Sequence, residues 1–129
     1  MYHLTALVTL LAVMFYFYAS ATVGRARHRF GIKAPATTGH PDFERAFRAQ
    51  MNTLEAMPAF LPSLWLFAIY ISDAIAAGIG LVWIIGRILY FVSYIKAAEK
   101  RGPGFGIQAL AMIGLWAGAL GAVVWRLAH

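Results

Sequence analysis

Two long stretches without a charged residue limit what this chain can fold into. Twenty-one residues without Asp, Glu, Lys or Arg separate His3 from Arg25, and twenty-four separate Arg101 from Arg126. A helix of about twenty apolar residues crosses the hydrocarbon core of a bilayer. Charged residues make up 12% of the 129 residues, about half the share that is usual in soluble domains. We therefore predict an integral membrane protein with one transmembrane domain over residues 1–129.

Hydrophobic segments predict four transmembrane helices, and hence an all-α membrane protein built as a four-helix bundle. The segments cover, in order, residues 4–24, 41–71, 74–98 and about 105–127. Pro41, followed by acidic residues, is typical of a helix start, whereas Pro58 and Pro62 fall inside the second segment and should kink it without ending it. The Gly-Pro-Gly run at residues 102–104 is interpreted as a turn before the fourth segment.

The first segment also has features of a signal peptide, because Ala19-Ser20-Ala21 resembles a cleavage site. However, no Lys or Arg precedes this segment, whereas four follow it in the first connector: Arg25, Arg27, Arg29 and Lys33. This charge order favours a retained helix. The third connector is basic as well, and the second contains only Asp73. The positive-inside rule therefore predicts that connectors one and three are cytoplasmic and that both termini lie opposite.

The charge and the residue inventory exclude several functions. The net charge is +6, but the basic residues lie between hydrophobic segments, where they indicate topology and contact with anionic lipid head groups, so nucleic-acid binding is not expected. The chain has no cysteine, so any sulfur chemistry must use a thiol of the substrate. The four histidines lack the spacing of metal ligands, and no metal site is predicted. No targeting motif distinguishes a bacterial inner membrane from the endoplasmic reticulum.

Polar and ionisable residues recur at helical spacing in the two middle segments. On the second segment, these residues are Arg45, Arg48, Asn52 and Glu55. On the third segment and its connector, they are Arg87, Tyr90, Tyr94 and Arg101. Ionisable groups at membrane depth are costly unless they are paired or hydrated. We therefore predict that the two stripes line one polar cavity near the cytoplasmic ends of their helices.

A structural interpretation stays open for most of these residues. Arg45 and Arg101 would then extend to the membrane surface as topology markers. Tyr90 and Tyr94 are equally consistent with aromatic residues that lie at the membrane interface. Arg48 and Glu55 could form a purely structural ion pair within the second helix. Arg87 is the exception, because uncharged segments surround it on both sides. The conjunction of these residues on matched faces favours a bound polar ligand.

The combined residue types suit a ligand with several anionic groups and one cationic group. Guanidinium groups bind carboxylates in a forked geometry, and Glu55 is the carboxylate that would receive an ammonium. Glutathione has two carboxylates, one ammonium and one thiol, and a neighbouring arginine lowers the pKa of a thiol. The residue types fit this ligand, although spacing alone does not name it.

Two groups of residues closely resemble the motifs of the MAPEG family, the membrane-associated proteins in eicosanoid and glutathione metabolism. The first group comprises Thr37-Thr38-Gly39, Phe43-Glu44-Arg45, Arg48-Ala49-Gln50, Asn52 and Glu55. The second group comprises Arg87, Tyr90-Phe91, Tyr94 and Arg101. The chain is most similar to the branch that holds leukotriene-C synthase and the type-two microsomal glutathione transferases, from about residue 27 to the end of the third helix.

This resemblance implies a homotrimer with glutathione bound between neighbouring subunits. The residues that would contact glutathione are Arg27, Arg48, Gln50, Asn52, Glu55, Arg87, Tyr90 and Tyr94. Arg101 matches the arginine that stabilises the glutathione thiolate in this branch, and it is the predicted catalytic residue. The chain departs from the family at Ala56, where catalytic relatives often have tyrosine, and this departure predicts a weaker affinity for glutathione.

These implications predict a membrane-bound glutathione transferase with a function in detoxification or eicosanoid metabolism. Glutathione would be the co-substrate, and its thiolate would attack a hydrophobic electrophile that arrives through the lipid bilayer, with glutathione-dependent peroxidase activity in addition. Two alternatives stay open: a non-catalytic lipid-binding scaffold of the lipoxygenase-activating type, and a small proton-coupled exporter with Glu55 as its membrane carboxylate. The retained glutathione residues count against the scaffold, and the arginines, which repel cations, count against the exporter.

Overall fold

The computed structural model describes residues 1–129 and contains four long helices. They are α1 (His3–Phe30), α2 (Pro41–Tyr70), α3 (Asp73–Lys96) and α4 (Gly102–Ala128). Each helix is long and apolar enough to cross a membrane. Large apolar side chains, among them Leu10, Phe17 and Leu110, stay exposed on the outside of the bundle, as lipid contact requires. The predicted all-α architecture with four transmembrane helices is confirmed.

Apolar side chains from all four helices meet in the middle of the bundle. This core includes Val8 of α1, Leu64 of α2, Trp83 of α3 and Leu115 of α4, each at most 3% exposed. The indole of Trp83 stacks on the ring of Phe60 with their centroids 3.8 Å apart. Side-chain packing therefore fills the middle of the bundle, and the polar residues concentrate towards its ends.

Helices α3 and α4 approach each other closely because both carry glycine at their contacts. A Cβ on Gly86 would lie 2.6 Å from the backbone nitrogen of Gln108, and a Cβ on Gly104 would lie 2.3 Å from the backbone nitrogen of Tyr90. Neither distance is compatible with a side chain, so the backbones touch at two successive points. Elsewhere on α4, a Cβ on Gly118 would meet the ring of Phe67 at 2.5 Å, whereas a Cβ on Gly114, one turn earlier, would meet nothing within 4 Å.

Three helix boundaries differ from the predictions. Helix α1 continues to Phe30 and ends at Gly31, whose φ of 65° is left-handed. The three arginines of the predicted first connector therefore lie on the last turns of α1, and only Lys33 follows the helix. The prediction of a turn at residues 102–104 is wrong, because these residues open α4 with the proline in its first turn. The chain breaks earlier, at Ala97 and a single 3-10 turn, Ala98–Arg101. Helix α2 runs through both of its internal prolines, as expected.

The two ends of the bundle differ in charge. One end, called the basic end below, carries Arg25, Arg27, Arg29, Lys33, Lys96, Lys100 and Arg101. At the opposite end, the carboxylate of Asp73 accepts hydrogen bonds from the backbone nitrogens of Leu4 (3.2 Å) and Thr5 (2.9 Å). These are two of the donors that the first turn of a helix leaves without a partner, so Asp73 fastens the start of α1 to the start of α3.

Candidate functional site

A buried arginine of α3 organises the polar interior near the basic end. Arg87 is 1% exposed, and its guanidinium donates to Oδ1 of Asn52 (2.9 Å) and to Oγ1 of Thr53 (2.7 Å), both on α2. Thr53 in turn donates its hydroxyl hydrogen to the carbonyl oxygen of Ala49 at 2.9 Å. The Nε of Arg87 has no hydrogen-bond partner. Two neutral acceptors thus orient this cation, and no carboxylate of the subunit neutralises its charge.

A cavity of about 470 Å³, called the Arg87 cavity below, opens beside Arg87 at the basic end. It is lined by Asn52, Tyr90, Tyr94, Arg101, Gly102 and Phe105. Four of these are predicted site residues, and Arg87 lies directly behind them, with its guanidinium carbon 4.4 Å from the ring centroid of Tyr90. One residue of the first polar stripe, Asn52, therefore meets three residues of the second stripe at one cavity, and the role of these residues in binding stays a prediction.

The close crossing of α3 and α4 determines the shape of this cavity. Gly104 touches the backbone of Tyr90, so the first turn of α4 and the tyrosines of α3 form adjoining walls of the cavity. The rings of Tyr90 and Tyr94 stack with their centroids 5.7 Å apart, and Phe105 contacts Tyr90 at 6.4 Å. The site thus depends on a helix contact that glycine permits.

The charges around the cavity favour an anion. Arg101 is exposed, its guanidinium lies 5.8 Å from the ring centroid of Tyr94, and it donates to the carbonyl oxygen of Ala98 at 2.8 Å. Gly102 begins α4, and the first backbone N–H groups of a helix carry a partial positive charge. Arg101 and the start of α4 thus bring positive charge to the lining of the cavity, and Arg87 adds a positive charge behind Tyr90, which suits a carboxylate or a thiolate.

Two further predicted residues lie on the exposed surface of α2 beside the cavity. Arg48 and Glu55 are exposed and form no hydrogen bond or ion pair within the subunit. The alternative of a structural ion pair between them is therefore not observed. Their spacing from Asn52, four and three residues, places all three on one face of α2. This face carries both charge signs and is free to meet a ligand.

The remaining two predicted residues lie on a different side of the subunit. Arg27, at the end of α1, donates to the carbonyl oxygen of Ala36 (2.7 Å), and its guanidinium lies 4.9 Å from the ring of Phe43. Gln50 points towards α1, where its amide nitrogen donates to Oγ of Ser20 at 2.9 Å. A single subunit thus does not bring all nine predicted residues to one cavity.

Arg45 was predicted to line the polar cavity with the other residues of its stripe, but its side chain does not reach the Arg87 cavity. Its guanidinium forms an ion pair with Asp42 and donates to the carbonyl oxygen of Ile95 at 3.0 Å. These contacts hold it at the α2–α3 junction, away from the residues that line the Arg87 cavity.

Three residues at the site were not predicted from the sequence: Thr53, Gly102 and Phe105. A hydroxyl next to Asn52, in a helix that must satisfy a buried arginine, is a signal that would have identified Thr53. The other two line the cavity only because α4 begins three residues earlier than predicted. No group of His and acidic residues in the structure could hold a metal ion.

Comparisons with known proteins agree with the family resemblance of the sequence motifs. The family model described as MAPEG matches residues 5–121. An uncharacterised protein of Synechocystis is 52% identical over 122 residues, which are 95% of this chain and 89% of that protein. Human microsomal glutathione S-transferase 2 is 43% identical over 92% of this chain and 81% of its own length. Leukotriene C4 synthase of Cavia porcellus is 44% identical over 76% of this chain and 65% of its own length.

Proposed function

This chain belongs to the MAPEG family, and from that premise we propose that it is a membrane-bound glutathione transferase that conjugates lipophilic electrophiles. Four apolar helices make it an integral, multi-pass membrane protein. Two of its relatives are named as a glutathione transferase and as leukotriene C4 synthase, whereas the relative at 52% identity is uncharacterised. The observation that carries the proposal is the Arg87 cavity, which Arg101 and the start of α4 line and behind which Arg87 lies against Tyr90.

We assign the groups of glutathione by charge. Arg87 and Arg48 would bind its carboxylates, because neither guanidinium has an acidic partner within the subunit. Glu55 would receive the ammonium, since it is the unpaired carboxylate on the same face of α2. Asn52, already fixed through its Oδ1 by Arg87, keeps its amide N–H groups for a peptide carbonyl.

The separated residues support a site shared between two subunits. Arg27 and Gln50 lie on the side of the subunit that faces α1 and the first connector, whereas Arg48 and Glu55 are exposed beside the cavity. In the homotrimer that the family resemblance implies, a neighbouring copy would bring its arginine and glutamine to glutathione. Gln50 would then hold a peptide group of the ligand, and Arg27 would add a positive charge.

The chemical step would use Arg101 to stabilise the thiolate. A cationic guanidinium and the N-terminus of a helix both lower the pKa of a thiol, and Arg101 and Gly102 bring both to one wall of the cavity. The sulfur then forms a bond to the electrophilic carbon, and the electron pair of the broken bond stays on the leaving atom. With a lipid hydroperoxide, the same thiolate would attack a peroxide oxygen and break the O–O bond, which releases the lipid alcohol and leaves the sulfenic acid of glutathione. A second glutathione would then reduce this sulfenic acid to the disulfide and water, which completes the peroxidase reaction.

The electrophile would reach the thiolate from the bilayer. A second, apolar cavity of about 570 Å³ lies between α2 and α4, where the prolines of α2 face Met112, Ile113 and Trp116. Its lining includes both internal prolines, Pro58 and Pro62. A lipophilic molecule concentrated in the membrane would enter such a groove laterally, and positioning it beside an activated nucleophile lowers the barrier to reaction.

An ultraviolet difference spectrum, recorded during a glutathione titration of the purified protein in detergent at neutral pH, tests this proposal. We expect a saturable thiolate band that Arg101→Ala abolishes and that Lys100→Ala, a control at the adjacent exposed position, retains. Arg101→Ala should also reduce kcat more than glutathione binding. A folded protein without the band would refute the transferase mechanism and leave the lipid-binding scaffold, which would bind fatty acids without glutathione. Equal losses of kcat and binding would remove the assigned role of Arg101.

A further inference from the structure

A third cavity, of about 890 Å³, lies at the basic end where α1 ends, α2 begins and α3 ends. We call it the basic groove, after its ionisable lining residues Arg25, His28, Arg29, Asp42, Arg45 and Lys96. It shares no lining residue with the Arg87 cavity. None of the residues assigned to glutathione lines it, so the proposed transferase reaction gives it no function.

The basic groove has an excess of unpaired positive charge. Its one carboxylate, Asp42, is paired with Arg45, which leaves Arg25, Arg29 and Lys96 without an acidic partner. Arg25 and Arg29 are one turn apart on the same face of α1, so their guanidinium groups can approach a single anion together. A guanidinium binds a phosphate through two parallel hydrogen bonds, and two such groups with a lysine match one phosphate diester.

Cations at the ends of α1 and α3 also interact favourably with the helix dipoles. That effect accounts for the presence of basic residues there, but it does not account for a cavity between three helices. Apolar side chains contribute to the walls, among them Phe30, Ala46 and Ile95. A small inorganic anion would leave these apolar walls unused, whereas an amphiphilic ligand would cover them.

An apolar surface continues from the basic groove towards the middle of the membrane. On α1, Tyr18 is 52% exposed, its ring contacts that of Phe91 on α3, and the guanidinium of Arg25 lies 5.9 Å from it. On α3, Ile88 and Val92 are each 41% exposed and lie on the same face as Lys96. The seam between α1 and α3 therefore presents charge at the membrane boundary and apolar side chains below it.

We propose that the basic groove binds the phosphate head group of an anionic phospholipid, with an acyl chain along the α1–α3 seam. Arg25 follows the last residue of the uncharged stretch of α1 and lies where a membrane helix meets the head-group layer. The guanidinium groups of Arg25 and Arg29 bind the phosphate, and Lys96 closes the groove from α3. The bound lipid would link the ends of these two helices.

Native mass spectrometry of the full chain with phosphatidylglycerol, phosphatidylcholine or inorganic phosphate tests this proposal. We expect one phosphatidylglycerol per chain, in preference to phosphatidylcholine, and no displacement by millimolar phosphate. The double variant Arg25→Gln, Arg29→Gln should lose about twenty-fivefold in affinity, because each basic residue near an anionic head group contributes a factor of roughly five. Lys96→Gln alone should lose about fivefold, and it provides a second variant on another helix.

The control removes the same charge elsewhere, through Lys33→Gln and Arg126→Gln, neither of which lines the groove. An equal loss in this control would refute a specific site and indicate general attraction to net charge. Complete displacement by inorganic phosphate would also overturn the proposal, since the site would then bind free anions. If the groove variants instead dissociate the subunits and leave lipid binding unchanged, the groove contacts another copy of the chain and the proposal is wrong.

Discussion

Replacement of Gly104 by alanine tests whether the close crossing of α3 and α4 builds the Arg87 cavity. A Cβ at this position would lie 2.3 Å from the backbone nitrogen of Tyr90 and 2.7 Å from its Cα. Ordinary van der Waals contacts begin near 3.4 Å, so the two backbones would have to separate by about 1 Å. The neighbouring atoms are backbone, which cannot rotate away as a flexible side chain can.

Two opposing effects determine the change in stability. Overpacking a well-packed contact costs about 1–3 kcal/mol, whereas alanine in place of glycine within a helix contributes about 1 kcal/mol in the opposite direction. We therefore expect a net loss of about 1 kcal/mol in the free energy of unfolding. The effect on activity should be larger, because a displacement of about 1 Å between groups that position a substrate can reduce the rate about a hundredfold.

Gly106→Ala is the matched control, because Gly106 lies on the same helix and a Cβ at this position would meet nothing within 4 Å. It should stabilise the protein by about 1 kcal/mol and leave kcat/KM for conjugation unchanged. Unfolding in mixed detergents measures the free energy, and glutathione conjugation to a chromogenic aromatic halide measures kcat/KM. If Gly104→Ala and Gly106→Ala give the same unfolding free energy and the same kcat/KM, the contact between α3 and α4 does not shape the cavity.

Two further substitutions test the polar contacts at the two ends of the bundle. Thr53→Val removes an acceptor of the buried Arg87 with little change of shape, and it should lower the free energy of unfolding by about 1–3 kcal/mol and weaken glutathione binding. Asp73→Ala removes the acceptor for the first N–H groups of α1, and it should cost about 1 kcal/mol in the same unfolding measurement while glutathione binding at the other end stays unchanged.

Each of these substitutions has a control in the chain. Thr22→Val removes a half-exposed threonine of α1 that lies outside the Arg87 cavity, and it should cost less than Thr53→Val. Glu99→Ala removes an exposed acidic residue without hydrogen bonds and should leave the unfolding free energy unchanged. Equal effects within either pair would mean that the hydrogen bonds named above do not stabilise the fold.

The helices were predictable from the sequence, and their ends only in part. The length of the uncharged stretches decides the number of spans, because the bilayer requires about twenty apolar residues for each. The end of α1 was predicted too early, although Gly31 is a typical C-terminal signal. The first charged residue, Arg25, indicates where the membrane ends, but the helix continues beyond that boundary. At residues 102–104 two signals competed, as glycine and proline are common in turns but proline is also common in a first helical turn.

Helical periodicity predicted which polar residues share a helix face, but not the contacts that they make with other helices. Tyr90 and Tyr94 lie on one face of α3 because residues four apart share a helix face, and this face meets Asn52 of α2 at one cavity. Periodicity could not locate Arg45, whose position depends on the carbonyl oxygen of Ile95, fifty residues away in the chain. Periodicity also could not predict the hydrogen bond from Arg87 to Thr53, because threonine carries no charge and was not counted among the ionisable residues of the stripes.

The separation of Gln50 from Asn52 makes the shared site directly testable. The two residues lie about 200° apart around α2, so one ligand cannot contact both within a subunit. One variant would carry Arg27→Ala and Gln50→Ala, and the other Arg101→Ala; each alone should be nearly inactive. Co-expressed in equal amounts, they should recover about a quarter of wild-type activity, because one interface in four then joins two intact halves. A site contained within one subunit gives no recovery, and that result would exclude the shared arrangement.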